Sequence, residues 1–187
     1  MINPEQTSDW EYGLGLMSGT SLDGVDLAYC RFRFCENKWE FVIEEAVTFT
    51  YPKKIMQMIL DMPEMDSAKL MSADRILGAF YGQLCADFIR SNNLKPQFVA
   101  SHGHTVFHNP AEGYTYQAGH GAEIAYYSGV PAINDFRSVD VSKGGQGAPL
   151  VPIGDELLFS DYDALINLGG FSNISFICSK GKDSEDT

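Results

Sequence analysis

The feature that most constrains the fold is a glycine-containing turn between two apolar segments near the N-terminus. "YGLGLMSG" leads into this turn, and "VDLAYCRFRF" follows it. The aromatic and β-branched residues on both sides predict two strands, and Asp-Gly at positions 23 and 24 is a strong turn signal. Gly19 and Gly24 have the spacing that opens a lysine-containing phosphate loop, yet Val25 and Asp26 stand where that loop has Lys and Ser or Thr. Because the turn also joins strand to strand, it is not a Walker loop.

The remaining sequence predicts a third strand and then alternating helices and strands. "WEFVIEEAVTFTY" is strand-like, and a helix capped by Ser67 is predicted because Leu70, Ala73, Leu77, Phe80, Leu84 and Phe88 step by three or four. Short strands are expected in "QFVAS" and "VPAIND", and helices in "AEIAYYS" and "LVPIGDELLF". This order indicates an α/β fold with a sheet of mixed direction.

Composition excludes several classes of partner. The net charge is −12 and the acidic residues are spread along the chain, whereas nucleic-acid binding needs a basic face. No apolar run approaches the roughly 18 residues of a membrane helix, and the polar N-terminus does not have the pattern of a signal peptide. The 4 cysteines lack CxxC spacing, which is typical of buried thiols in a reducing compartment. We therefore expect a cytoplasmic protein without a nucleic-acid or membrane partner.

Residues 19–26 form the first candidate site. Glycine amides and the hydroxyls of Thr20 and Ser21 can bind phosphate oxygens. The carboxylates of Asp23 and Asp26 can hold Mg²⁺, directly or through water. The alternative is a tight hairpin turn that binds nothing.

A second turn, in "NLGGFSN", follows the same plan as the first. It lies between "DALINLGG" and "SNISFI" and contains Gly170, Ser172 and Asn173. A Gly-Gly pair alone is a weak signal, because many hairpins contain one. Together, the two turns suggest two related lobes that face each other across a nucleotide.

Histidines cluster in "SHGHTVFH". In one strand, His102 and His104 would point to the same side, which suits a pair of metal ligands. Together with His108 they would form the site of a metal-dependent hydrolase. Only one further histidine, His120, is present in the sequence to complete such a site. The alternative is that polar residues at a strand's carboxyl end line a ligand cleft.

Two neighbouring segments, "NDFRSVD" and "GGQGAPLVP", supply further candidates. Arg137 could bind a carboxylate or phosphate as a fork, or form a surface ion pair with Asp135 or Asp140. The glycines around Gln146 favour either close approach of the backbone to a ligand or plain loop flexibility.

Four of these stretches, in order, resemble the anhydro-N-acetylmuramic acid kinases. They are "GLMSGTSLDGVD", "SHGHTVFHNP", "DFRSVDVSKGGQGAPLVP" and "LINLGGFSNIS", and the resemblance extends from Gly13 to Ile177. It implies a two-lobed ATP-binding fold of the actin, hexokinase and heat-shock ATPase type, with a ribonuclease H-like, actin-like ATPase lobe whose mixed five-stranded sheet is flanked by helices. It further implies that water opens the 1,6-anhydro ring of the sugar while ATP phosphorylates O6, giving N-acetylmuramic acid 6-phosphate in murein (peptidoglycan) recycling.

The resemblance also assigns residues. It implies ATP and Mg²⁺ as cofactors, with Mg²⁺ held through Asp23 and Asp26. The residues that it places at ATP are Gly19, Thr20, Ser21, Leu22, Asp23, Gly24, Val25, Asp26, Gly170, Ser172 and Asn173. Those that it places at the sugar are His102, Thr105, Arg137, Asp140, Gln146 and Gly147.

The sequence departs from the family in three places. His104 stands where Gln is usual, and His120 where Asp is common. The family's Asp-Thr-Gly-Pro-Gly-Asn stretch, which supplies the aspartate that activates water, does not occur in these 187 residues. The resemblance therefore implies no catalytic residue here and an incomplete, inactive portion of a kinase.

The same comparison with the family implies a division of the chain. Residues 1–142 would form the N-terminal lobe, and residues 143–187 an inter-lobe helix and the first hairpin of an incomplete second lobe. Because an uncovered hairpin leaves a strand edge unpaired, we expect a homodimer through residues 164–177. The alternative to a kinase is a non-catalytic nucleotide- or sugar-binding lobe that acts with a partner chain.

Overall fold

The computed structural model describes residues 9–168 and 172–176. The chain forms two compact units, Met1–Ala148 and Pro149–Thr187, and the division into lobes at 142/143 stays a prediction. In chain order the elements are β1 (Glu11–Ser18), β2 (Val25–Cys35), β3 (Lys38–Phe49), α1 (Lys53–Asp61), α2 (Ser67–Ser91), β4 (Phe98–Ser101), β5 (His104–Asn109), β6 (Tyr114–Ala118), α3 (Gly121–Ser128), β7 (Ala132–Ile133), α4 (Ser138–Ser142), α5 (Val151–Leu158), β8 (Ala164–Leu168) and β9 (Ser172–Phe176). Short 3-10 turns follow α1 and β5.

The first unit contains a five-stranded sheet in the order β3-β2-β1-β4-β7. β1 pairs antiparallel with β2, which pairs antiparallel with β3. On its other side β1 pairs parallel with β4, and β4 with β7. The predicted α/β fold with a mixed five-stranded sheet is confirmed.

The core lies between this sheet and the helices. Leu14, Leu16 and Val99 of the central strands are buried with Leu77 and Tyr81 of α2. Where α2 meets α3 the helices approach closely, since a Cβ on Gly78 would lie 2.6 Å from the His120 carbonyl oxygen. The long periodic helix predicted between residues 67 and 91 is confirmed.

One local prediction was wrong, one was confirmed only in part, and one hairpin was not predicted. The N-cap of α2 is Asp66, whose side chain accepts a hydrogen bond from the Lys69 amide at 2.9 Å, and Ser67 is the first helical residue. The "VPAIND" segment forms only the two-residue strand β7. The antiparallel hairpin of β5 and β6 was not predicted, because Asn109-Pro110 and Gly113 (φ 79°) at its turn lie between strands of mixed polarity.

The second unit contains α5 and the antiparallel hairpin of β8 and β9, in which Ile166 lies opposite Ile174. Both the helix and the strand-turn-strand plan were predicted. Gly170, at the turn, lies outside the described residues. Of the helices in the described part of the chain, none combines the length and apolarity that crossing a membrane requires.

Candidate functional site

Three parallel strands of the first unit end at one edge of the sheet. Residues 19–24 follow β1, His102 and Gly103 follow β4, and residues 134–137 follow β7. The His102 amide donates to the Leu16 carbonyl oxygen at 3.1 Å, which fixes the exit from β4 against β1. Loops at the carboxyl edge of an α/β sheet are where such folds bind ligands, so this edge is the candidate site.

The first glycine loop (residues 19–24) joins β1 to β2 as predicted. It is closed by a hydrogen bond from the Leu22 amide to the Gly19 carbonyl oxygen at 3.3 Å, with Leu22 in the left-handed region (φ 56°). Ser21 donates to Asp23 at 2.9 Å, and the side chains of Thr20, Ser21 and Asp23 are exposed. The loop therefore presents hydroxyl and carboxylate groups to solvent.

The end of this loop is fixed by close contact with β3. A Cβ on Gly24 would lie 2.7 Å from a Thr48 methyl carbon and 2.9 Å from the Phe49 carbonyl oxygen, so only glycine fits without displacement. Val25 and Asp26 belong to β2, where Val25 is buried in the core and Asp26 is exposed. Thr48 donates to Asp26 at 2.5 Å.

Beneath the loop lies a buried polar network, defined here as Ser18, Tyr51, Tyr81 and His104. The Ser18 hydroxyl contacts the Tyr51 hydroxyl and lies 3.3 Å from His104 Nδ1, while Tyr51 and Tyr81 are 3.1 Å apart between hydroxyl oxygens. Burial raises the pKa of both tyrosines and, together with nearby His102, lowers the pKa of His104. The network is therefore neutral and ties the end of β1 to β5 and α2.

No sequence signal could have revealed this network. Its members lie in β1, in β5, in α2 and in the segment between β3 and α1, and they meet only because the sheet and α2 bring them together. Ser18 is the residue directly before the first glycine loop, so the network supports that loop from below.

His102 and Arg137 are brought together as predicted for a common cleft. Arg137 Nε donates to His102 Nε2 at 2.9 Å, and His102 Nδ1 lies 2.8 Å from the Gly103 carbonyl oxygen. These partners assign the His102 proton to Nδ1. Burial lowers the pKa of His102, and the Arg137 charge lowers it further. The imidazole is therefore held neutral.

Arg137 also fixes the second glycine loop (residues 143–147). Its Nη1 donates to the Gly147 carbonyl oxygen at 2.5 Å, while the Gly147 amide donates to the Asp140 carboxylate at 2.7 Å. The alternative of a surface ion pair between Arg137 and Asp135 or Asp140 is wrong, because the described contacts of the guanidinium are with His102 and Gly147.

Within that loop, two of the three glycines are required by space. A Cβ on Gly145 would lie 2.2 Å from an Asp140 carboxylate oxygen, and one on Gly147 (φ 62°) would lie 2.7 Å from a Val141 methyl carbon. Gln146, between them, is exposed. The loop is thus held by specific contacts and presents Gln146 at the surface.

The histidines of "SHGHTVFH" do not share a strand. Gly103 (φ 71°) separates His102, which follows β4, from His104, which begins β5 of another sheet. The prediction that they point to one side of a strand was wrong. Thr105 lies opposite Gln117 in the β5–β6 pair, and the exposed His108 contacts Thr115 through Nδ1 at 3.0 Å.

The metal-dependent hydrolase alternative has no support in this geometry. Both ring nitrogens of His102 are engaged, one of them by a guanidinium that repels a cation. Within residues 9–168 and 172–176, no group of 3 or more His, Cys, Asp or Glu side chains is placed to hold a metal ion.

In the second unit, Ser172 and Asn173 lie at the start of β9. Asn173 is paired with Asn167, and Ser172, which is exposed, with Leu168. The sequence therefore placed them correctly at the turn of a second hairpin.

The fold and this edge define the class: an α/β protein whose mixed sheet gathers two glycine loops, a neutral histidine and an arginine at its carboxyl edge. The model of the family described as "Anhydro-N-acetylmuramic acid kinase" matches residues 11–184. The chain belongs to the anhydro-N-acetylmuramic acid kinase family.

Curated relatives carry the same name. A protein of Francisella tularensis subsp. novicida is 36% identical over 184 residues, covering 91% of this chain and 48% of the relative. One of Paramagnetospirillum magneticum is 39% identical over 175 residues, covering 90% and 48%. One of Pseudomonas putida is 37% identical over 174 residues, covering 88% and 46%. The chain spans about half the length of the curated relatives it matches.

Proposed function

We propose that the chain provides the phosphate-binding and sugar-binding lobe of an ATP-dependent kinase of the actin-like ATPase type. Its reaction would open the 1,6-anhydro ring of anhydro-N-acetylmuramic acid with water and phosphorylate O6, giving N-acetylmuramic acid 6-phosphate for peptidoglycan recycling in the cytoplasm. The observation that carries the proposal is the lysine-free glycine loop at the sheet's carboxyl edge, beside the His102–Arg137 pair. Membership of the kinase family supports it.

The first glycine loop would hold the phosphates of ATP. The hydroxyls of Thr20 and Ser21 are exposed, as is the carboxylate of Asp23. Backbone amides and hydroxyls bind phosphate without a lysine, and a fixed loop does so with little reorganisation. On the family resemblance alone, Ser172 and Asn173 of the second unit are also proposed as phosphate ligands.

Asp23 and Asp26 fit a magnesium ion. Each carboxylate has one oxygen hydrogen-bonded by a hydroxyl, from Ser21 and Thr48 respectively, and both side chains are exposed. Mg²⁺ is commonly bound by one or two carboxylates together with substrate phosphates. When bound, the ion supplies neutralisation of the charge on the transferring phosphoryl group.

His102, Thr105, Arg137 and Gln146 would line the sugar cleft. In the described contacts, Arg137 and Asp140 act mainly by holding the second glycine loop, so that exposed Gln146 is presented at a fixed position. Phosphoryl transfer depends on positioning and charge neutralisation more than on covalent chemistry. The proposal assigns binding to these residues and no general base.

Nucleotide binding tests the proposal directly. The 187-residue chain should bind Mg-ATP in titration calorimetry, and Asp23→Asn should weaken binding about tenfold because a carboxylate ligand of the ion is lost. Asp26→Asn should weaken binding in the same way, and its matched control is Thr48→Val, which removes only the hydroxyl that donates to Asp26 and should change the affinity less. Absence of Mg-ATP binding to the folded chain would contradict the proposal.

An activity assay separates the kinase from its alternative. The chain is incubated with Mg-ATP and 1,6-anhydro-N-acetylmuramic acid, and ADP and sugar phosphate are measured. We expect binding without turnover. Turnover above the enzyme-free rate would show that one of these 187 residues acts as the base. If the chain binds both ligands but catalyses no turnover, alone or with a partner chain, the non-catalytic lobe is favoured.

We also propose a homodimer through the β8–β9 hairpin. Ile166, Leu168, Ile174 and Phe176 share one face of the hairpin by register, with exposures of 67%, 78%, 52% and 71%. A two-stranded hairpin with an uncovered apolar face is marginally stable by itself. Light scattering should give twice the chain mass, and Leu168→Lys should return a monomer. A wild-type monomer at high concentration would contradict this.

A further inference from the structure

The first glycine loop keeps a backbone conformation that its sequence alone does not favour. Leu22 adopts the left-handed region (φ 56°), which is unfavourable for a residue with a Cβ. Such strain persists only where the surroundings hold the residue in place, and it is concentrated at functional sites. The Leu22 side chain packs against the buried core. The contacts around the loop therefore outweigh the cost of this conformation.

Both ends of the loop rest on residues 48–51, at and just after the end of β3. Ser18, directly before the loop, contacts the Tyr51 hydroxyl. Gly24, at the other end of the loop, lies against Thr48 and Phe49. One short segment therefore fixes where the loop begins and where it ends.

Tyr51 is the central member of the buried polar network. It is 6% exposed, and its hydroxyl contacts both Ser18 and the Tyr81 hydroxyl, the latter at 3.1 Å between oxygens. A phenolic hydroxyl donates one hydrogen bond and also accepts, so Tyr51 can satisfy both neighbours at once. Burial raises the pKa of Tyr51, and the Asp23 and Asp26 carboxylates raise it further. The hydroxyl therefore keeps its proton beneath the two carboxylates proposed to hold Mg²⁺.

The ring of Tyr51 is fixed independently of its hydroxyl. It packs against Phe80 of α2, with ring centroids 6.1 Å apart, and it belongs to the core cluster that includes Leu16 and Val25. These apolar contacts would keep the ring in place in a variant without the hydroxyl. The packing role and the hydrogen-bonding role of Tyr51 can therefore be separated by removing the hydroxyl alone.

Polar groups at this position need a physical reason, because apolar side chains of similar size would fill the same space. A buried polar group costs free energy unless it is hydrogen-bonded, whereas a satisfied polar network specifies a single arrangement. Apart from tyrosines, the buried polar or charged side chains among the described residues are Ser18, Ser101, His104 and Asp155. Two of these, Ser18 and His104, belong to the network, so it gives the start of the loop a defined position.

We propose that Tyr51 is a positioning residue for phosphate binding. Through Ser18, its hydroxyl holds the first glycine loop in the conformation in which Leu22 is left-handed and the amides and hydroxyls of the loop are ready for phosphate oxygens. A loop that is already ordered binds without the cost of reorganisation. The inference rests on the proposed nucleotide binding of this loop and adds the residue beneath it that sets the affinity.

The test compares two tyrosine variants of the 187-residue chain in calorimetric titration with Mg-ADP. Tyr51→Phe removes the hydroxyl and keeps the ring against Phe80, and the dissociation constant should rise about fivefold, as expected for the loss of one hydrogen bond. Tyr29→Phe is the matched control, because Tyr29 is 7% exposed and its hydroxyl interacts with the backbone of Lys95, outside the network. This control should lose a similar amount of stability and keep the wild-type affinity.

A pair of serine variants gives a second comparison. Ser18→Ala removes the hydroxyl between Tyr51 and the loop, and it should weaken Mg-ADP binding about as much as Tyr51→Phe does. The double variant should lose little more than the larger single loss, because both changes break the same contact. Ser101→Ala is the control, since Ser101 ends β4, is fully buried and has a hydroxyl without a hydrogen-bond partner among the described residues. Its affinity should stay at the wild-type value.

Amide spectra of the ¹⁵N-labelled variants without nucleotide report on the loop itself. The signals of residues 19–24 should shift or broaden in Tyr51→Phe and Ser18→Ala, and they should stay unchanged in Tyr29→Phe and Ser101→Ala. Equal affinity of Tyr51→Phe and the wild type, or equal losses of affinity in Tyr51→Phe and Tyr29→Phe, would overturn the inference. Should Tyr51→Phe fail to fold, the serine pair decides by the same criteria.

Failure of the proposed function gives a different pattern. If the wild type binds no Mg-ADP while the loop signals still respond to Tyr51→Phe, the kinase proposal is contradicted and the positioning of the loop by Tyr51 is upheld. If the wild type binds Mg-ADP and neither Tyr51→Phe nor Ser18→Ala changes the affinity, nucleotide binding stands and the inference is removed.

Discussion

The two loops at the carboxyl edge of the sheet both contain glycines, but different contacts hold them in place. The first, residues 19–24, is closed by its own backbone and presents exposed hydroxyl and carboxylate groups. The second, residues 143–147, is held from outside by Arg137 and Asp140. Gly145 and Gly147 of the second loop are enclosed by neighbouring atoms, whereas a Cβ on Gly19 of the first loop would meet only Ser21 within 4 Å.

Replacing Gly147 gives the largest expected effect. Gly147→Ala combines left-handed backbone strain with overlap against Val141, so the free energy of unfolding should fall by about 3 kcal/mol. Gly144→Ala is the matched control, because Gly144 has φ 83° but open space around it, and it should cost about 1 kcal/mol. Urea denaturation measures both. Equal losses would show that overlap at residue 147 is relieved without cost.

The second-largest loss of stability is expected when Arg137 is replaced. Arg137→Lys cannot reach both His102 and Gly147 with one ammonium group, and stability should fall by about 1.5 kcal/mol. Arg90→Lys, at an exposed ion pair with Asp87, should cost no more than about 0.5 kcal/mol. If the two variants melted at the same temperature, Arg137 would not support the second loop.

A smaller effect is expected from pH. His102 and His104 have lowered pKa values in the folded chain, chiefly because of burial. Below the ordinary histidine pKa of about 6.5 the unfolded chain therefore binds more protons, so stability falls as pH decreases from about 6.5 towards the lower folded pKa values and levels off beneath them. His104→Gln should flatten the decline in melting temperature between pH 7 and pH 5. If the melting temperature of His104→Gln declined as steeply as that of the wild type, the pH dependence would come from groups other than His104.

The smallest stability change is expected at Gly19. A Cβ there would lie 3.3 Å from the Ser21 hydroxyl, which can rotate away, so Gly19→Ala should cost less than about 0.5 kcal/mol. Affinity for Mg-ADP should fall about tenfold, since the added methyl group obstructs approach of phosphate to the backbone. A large loss of stability without loss of affinity would reverse the comparison between the loops.

The sequence predicted those parts of the site that depend on local signals. The first loop was found because Asp23-Gly24 separates two strand-like segments, and the pairing of His102 with Arg137 in one cleft followed from the family resemblance. The contact of Asp140 with the Gly147 amide is local in sequence, yet it depends on the exact backbone of residues 143–147.

Long-range contacts could not be predicted. Ser18 ends β1 and Tyr51 lies between β3 and α1, so these residues are far apart along the chain and touch only after the sheet has formed. The pocket lined by Gln117, Gly121 and Asn134 likewise needs β6, α3 and β7 in place, and no periodicity in the sequence specifies where three such elements leave a space. The β5–β6 hairpin was missed because its residues alternate poorly between apolar and polar.

The two edge strands of the main sheet, β7 and β3, affect whether copies of the protein associate through their sheets in a crowded solution. One edge strand, β7, has two residues and offers almost no template for another strand. The other, β3, has 12 residues, carries Glu40, Glu44 and Glu45, and is itself bulged at Glu44, opposite Tyr29 and Cys30 of β2. Short length, acidic charge and irregular pairing each oppose edge-to-edge growth of β-sheet. The sheet is therefore protected against fibrous aggregation at both ends, and the carboxyl edge can stay open to ligands without that risk.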